Sequence, residues 1–213
     1  MDLLHHPLVA TLLLGAAGAL AGALTRCWLA RLRRGAPVEP PWCEAGLGVL
    51  WAGLGAVGAG GLIDVRWAPV LAVVCWLGVA GAATDLLRRR LPDALTLPAL
   101  PAVVLALLPA GPGAVLRGVA GALLLAGAYA AVHLISPVAM GAGDVKLAGP
   151  VGAAVTGPSW SALAAAALLT ALLSAAVAGC ALLAGRARWG SRLPHGPVLL
   201  GSALVVIVAG AAG

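Results

Sequence analysis

Charge is what this chain has least of. Of its 213 residues only 9% are Asp, Glu, Lys or Arg, while 62% are hydrophobic. A soluble domain usually carries about a quarter charged residues, so a chain of this composition cannot cover its own surface in water. Cysteine is also sparse and poorly placed for metal or disulfide chemistry. The four cysteines, at 27, 43, 75 and 180, form no CxxC and have no zinc-ligand or disulfide-framework spacing. A metal site is therefore not expected, and Cys75 and Cys180 read as small buried hydrophobes inside apolar blocks. The net charge of +6 does not point to nucleic acid, because the basic residues are not gathered on a segment able to fold in water.

What the chain has in abundance is long apolar blocks of Leu, Ala, Val and Gly. They fall at about 8–25, 44–63, 67–86, 94–109, 116–136, 145–157, 159–184 and 197–212. Most have the length a helix needs to cross the hydrocarbon layer, roughly 20 residues at about 1.5 Å each. The 30 glycines would weaken helices in water, but between membrane helices small residues permit close approach. The expected fold class is all-α, a polytopic membrane bundle of about eight segments forming one domain over 1–213. The sixth segment is short and holds Pro150 and Gly152, so a broken or re-entrant helix is expected there.

Eleven of the 13 basic residues lie in alternate connections: Arg26, Arg31, Arg33 and Arg34, then Arg88, Arg89 and Arg90, then Lys146, then Arg186, Arg188 and Arg192. Only Arg66 and Arg117 belong to the opposite set. By the positive-inside tendency the first set faces the cytoplasm and both termini face outward. The first apolar block lacks a basic n-region and is followed by its arginines, which reads as a retained anchor instead of a cleaved signal.

Seven acids remain to be explained: Asp2, Glu39, Glu44, Asp64, Asp85, Asp93 and Asp144. Ionisable groups are costly at a membrane, so those at segment ends are informative. Asp2, Glu39 and Asp64 fall in connections, and Asp93, after Pro92, suits a helix cap. Asp85 closes the third segment and Asp144 opens the sixth, which puts both carboxylates at one depth. Alone, each reads as a helix-end carboxylate paired with a nearby Arg or Lys. As a pair they can share a proton, one acting as base toward water and the other as acid toward a carbonyl, which is peptide hydrolysis without metal or cofactor. Gly141 and Gly143, in Met140-Gly141-Ala142-Gly143-Asp144, are expected to permit positive φ and a close backbone approach beside that carboxylate. A transporter or channel using intramembrane acids would place them near the midplane, not at segment ends; a non-catalytic subunit of a pilus or secretion machine is the third reading. His195 reads as a loop residue, and His133 as packed in its helix.

Three stretches together resemble the type IV prepilin peptidases among the GxGD intramembrane aspartyl proteases. Asp85 to Pro98, with Pro seven residues after the Asp and then Leu95-Thr-Leu-Pro98, resembles that family's first catalytic block; Met140 to Leu147 resembles its second. Leu193-Pro194-His195-Gly196-Pro197 is similar to the LPxGP signature before its last helix, and Glu44 sits where the family often carries an acid. The resemblance implies catalysis by Asp85 and Asp144, with Pro92, Gly141, Gly143, Lys146 and Glu44 binding substrate or supporting the site. It implies no cofactor, a multi-pass inner membrane location, and a prepilin or pilin-like partner whose basic leader is removed at the cytoplasmic face. A homo-oligomer is compatible with it. The loop at 26–43 is short and lacks the paired CxxC motifs of larger members, which implies proteolysis without methylation. Presenilin-like enzymes expect Tyr before their first Asp; here Asp85 follows Thr84.

Overall fold

The computed structural model describes residues 7–33, 35–88, 91–137, 140–185 and 195–212. Among them are eight α-helices and no strand: α1 Pro7–Arg31, α2 Trp42–Ala59, α3 Ala68–Arg88, α4 Asp93–Ala106, α5 Pro112–Ile135, α6 Ala142–Thr156, α7 Trp160–Leu183 and α8 Gly196–Ala211. Each coincides with one of the eight apolar blocks. Six helical stretches are long and apolar enough to cross a membrane; α6, of 15 residues, and α8, of 16, are shorter. The chain is a polytopic helical membrane protein. Its outer surface is apolar, with Leu134 81% and Leu183 91% exposed, a surface that water would penalise and acyl chains accept.

Two boundaries differ from the sequence expectation. Helix α1 continues to Arg31, so Arg26 is a helical residue, not a loop residue. Arg117 likewise lies on α5, where its guanidinium donates to the Gly157 carbonyl at 2.7 and 3.2 Å. That carbonyl follows the end of α6, where a cation satisfies an otherwise orphaned acceptor and favours the negative end of the helix dipole. The sixth block, expected to be broken, is one continuous helix through Pro150. At about 22 Å it falls short of the hydrocarbon thickness. It does not need to meet lipid along its length, because every residue from Leu147 to Thr156 is buried by its neighbours.

Helix α6 is the centre of the bundle, packed by α4, α5, α7 and α8. Gly152 of α6 and Gly121 of α5 face one another so closely that a methyl group added to either would fall on the other helix's backbone. A second close pair joins α1 and α2, where Gly18 lies against the Leu47 backbone and Gly22 against that of Cys43. Indole N–H groups, which must find acceptors in lipid, tie this second pair to α3. Trp76 donates to the Thr25 hydroxyl at 2.8 Å and Trp51 to the Ala72 carbonyl at 3.2 Å. The up-and-down path brings the ends of α1, α3, α5 and α7 and the starts of α2, α4, α6 and α8 to one end of the bundle.

Candidate active site

Asp85 lies three residues before the end of α3 and is half-buried. Its Oδ2 faces the start of α8: a Cβ placed on Gly196 would sit 3.4 Å from that oxygen, 3.7 Å from Leu91 and 3.8 Å from Leu147. The buried glycine therefore lets α8 begin directly beside the carboxylate. Asp144, also half-buried, is the third residue of α6, and its side chain turns back toward the Gly141 N–H at the N-cap. An acid at this position complements the positive end of the helix dipole. The Asp144 carboxylate is in electrostatic reach of His195 and Tyr129. His195 immediately precedes the glycine that touches Asp85. Asp85 thus faces Gly196, and the preceding residue, His195, lies within electrostatic range of Asp144.

His195 is held on both ring nitrogens. Tyr129 Oη of α5 lies 3.0 Å from Nε2, and Ser174 Oγ of α7 lies 3.4 Å from Nδ1. The Tyr129 and His195 rings are tilted at 39° with centroids 5.9 Å apart. The sequence reads His195 as a loop residue, and it does lie in the loop directly before α8; what the structure adds is that its ring bonds α5 and α7 there. The only sequence signal was its place in the LPxGP-like stretch. His133 is bonded through Nδ1 to the Met140 carbonyl at 2.8 Å, so it secures the turn leading into α6.

The supporting residues have separate duties. Lys146 bonds Asp93 at 2.6 Å, an ion pair tying α6 to α4. Asp93 is one residue inside α4, whose N-cap is the buried Pro92, so it does not occupy the expected cap position. Glu44 bonds Arg26 Nε at 2.6 Å and belongs to the α1 and α2 pair. The expected positive φ at the glycines of the GxGD stretch is not found: Gly141 is an extended N-cap at φ −74, and the left-handed glycines among the described residues are Gly61, Gly111 and Gly185. Gly143 instead sits tightly against Leu91, where a Cβ would lie 3.2 Å from Leu91 Cβ. Among the described residues no three His, Cys, Asp or Glu side chains converge as a metal-ligand set. Arg89, Arg90, Arg186, Arg188 and Arg192, and Leu193-Pro194 of the LPxGP-like stretch, lie outside the described residues.

This arrangement defines a membrane-embedded helical bundle with two carboxylates gathered at one end. The family model of the type IV leader peptidase family matches residues 71–183, a stretch holding both aspartates, and the chain belongs to that family of peptidases. No curated protein and no solved structure matches it.

Proposed function

We propose that this peptidase is an aspartic endopeptidase in which Asp85 and Asp144 act as one acid-base pair, removing the basic leader of a prepilin or pilin-like protein. The observation that carries this reading is the shared boundary of the two carboxylates, Asp85 against Gly196 and Asp144 in reach of His195. One carboxylate takes a proton from water as its oxygen attacks the scissile carbonyl carbon, and the protonated partner gives its proton to the carbonyl oxygen. The tetrahedral adduct then collapses. Its C–N bond breaks, the nitrogen gains a proton, and a carboxyl and an amine terminus leave with the dyad restored. The test is cleavage of a co-expressed pilin-like substrate by single Asn variants at the two positions.

The end of the bundle that holds Asp85 and Asp144 also holds Arg26, Arg31, Arg33, Arg88 and Lys146, while Arg66 and Arg117 mark the other end. This charge distribution supports a cytoplasmic site in an inner membrane with both termini outside. Single-cysteine reporters beside Arg33 are expected to be labelled only from the cytoplasm, and reporters beside Asp64 only from outside, once the four native cysteines are replaced. The reverse pattern would remove the cytoplasmic assignment.

The chain is proposed to release its product unmethylated, because the 26–43 region offers Cys27 on α1 and Cys43 on α2 but no CxxC pair. Intact mass of a product made by this enzyme alone is expected to equal that of the unmodified mature chain. An added methyl group would contradict this.

A further inference from the structure

A cavity of about 260 Å³ opens between α5 and α7, backed by α6 and α8, with Tyr129 and His195 of the candidate site in its wall. Its walls are apolar: Leu125 and Val132 from α5, Leu163 and Ala166 from α7, and Leu199 from α8. Two polar groups already bonded to each other, Tyr129 and His195, stand at the end nearest Asp144. The remaining polar group in the wall is Thr170, only 4% exposed, whose hydroxyl has no hydrogen-bond partner. This sets it apart from the other threonines. The five other threonines, Thr11, Thr25, Thr84, Thr96 and Thr156, each donate to the carbonyl four residues earlier on their own helix. Thr170 lies one turn from Ser174, which bonds His195, so its free donor is about 6 Å along α7 from the residues beside Asp144.

An apolar space with one unused buried donor fits a particular occupant. Hydrolysis requires the scissile carbonyl to be accessible, so a substrate that is helical in the membrane must unwind locally at the carboxylates. Unwinding frees main-chain carbonyls that lipid cannot satisfy. It also turns the adjacent apolar side chain outward. We propose that this cavity is the subsite for the apolar side chain directly following the scissile bond, and that the Thr170 hydroxyl donates to a main-chain carbonyl of the unwound substrate there. The inference rests on the reading of Asp85 and Asp144 as the cutting pair.

The test uses the full-length enzyme in membranes and two versions of one pilin-like substrate, with Trp or Ala directly after the scissile bond. Ala166→Leu fills the cavity and should lower the Trp-to-Ala cleavage ratio about tenfold, as size changes in an apolar subsite do. Leu163→Ala enlarges it and should raise the ratio about threefold. Opposite shifts in a ratio cannot come from impaired folding, which would slow both substrates alike. Thr170→Val should slow both about fivefold, the worth of one hydrogen bond, and Thr170→Ser should keep the wild-type rate. If Ala166→Leu cleaves nothing, the enlarged variant decides. An unmoved ratio in Leu163→Ala overturns the assignment and leaves the space to acyl chains or a second copy of the chain. Asp85→Asn and Asp144→Asn run in the same assay: cleavage by both would defeat the underlying dyad, whereas an unmoved ratio beside inactive Asn variants defeats the subsite alone.

Discussion

Asp85→Asn and Asp144→Asn are each expected to reduce cleavage of a pilin-like substrate by about 10²–10⁴-fold, with the double variant scarcely worse than either single one. Asn keeps the size and much of the hydrogen bonding of Asp but cannot exchange a proton with water or with a carbonyl. In the proposed dyad the two groups act as a unit, so removing one leaves the other with no complementary proton to give or take. Asp93→Asn supplies the contrast. It removes the charge from a half-exposed ion pair with Lys146, an interaction of the kind usually worth about 0–1 kcal/mol. Its activity should stay near wild type. All three variants should accumulate normally, because losing a charge at a membrane edge does not raise the cost of insertion. The measurement is the mass shift of substrate with equal enzyme levels. Near wild-type cleavage by both Asp85→Asn and Asp144→Asn would exclude the aspartic mechanism and move the intramembrane-acid transporter reading forward.

The second large effect concerns the scaffold that presents Asp144. A side chain at Gly152 has no room: its first carbon would fall on the Gly121 carbonyl and 2.9 Å from Leu125 Cβ. Those obstacles are backbone and the root of a side chain, which cannot swing aside. Gly152→Leu must therefore push α5 from α6, and overpacking of this kind typically costs about 1–3 kcal/mol. Because α6 carries Asp144 in its first turn, the displacement should also lower activity steeply. Gly127→Leu is the control on α5 itself, since a Cβ there meets nothing within 4 Å. Thermal unfolding in lipid or mild detergent should show a clearly lower Tm for Gly152→Leu and little change for Gly127→Leu. Equal stability of the two variants would mean that the close crossing of α5 and α6 does not hold the bundle together.

The eight helices were legible because each announces itself locally, in its own apolar block. The two aspartates were legible for a related reason. In a chain with seven acids, a carboxylate at a segment end stands out, and alternating crossings give the two the same depth. Depth, however, is one coordinate of three. Sequence order alone does not say that α8 begins against Asp85, or that His195 is shared among α5, α7 and α8 beside Asp144. Nor does it say that Lys146 turns to Asp93 and Glu44 to Arg26.

The glycines show where the boundary falls. Their abundance in apolar blocks already implied close helix packing, but their individual purposes did not follow from it. Gly143 was expected to supply an unusual backbone angle and instead makes room for Leu91. The free hydroxyl of Thr170 is equally invisible in sequence, because five other threonines in similar apolar helices close on their own backbone. The sequence by itself determined the solvent, the number of helices, the end of the bundle that bears charge and the two acids worth testing. These follow from hydropathy and parity, which are summed along the chain. The tertiary structure decided which side chains meet at that end, because meeting depends on how helices rotate and cross, and rotation is set by small-residue contacts between segments that the sequence keeps apart.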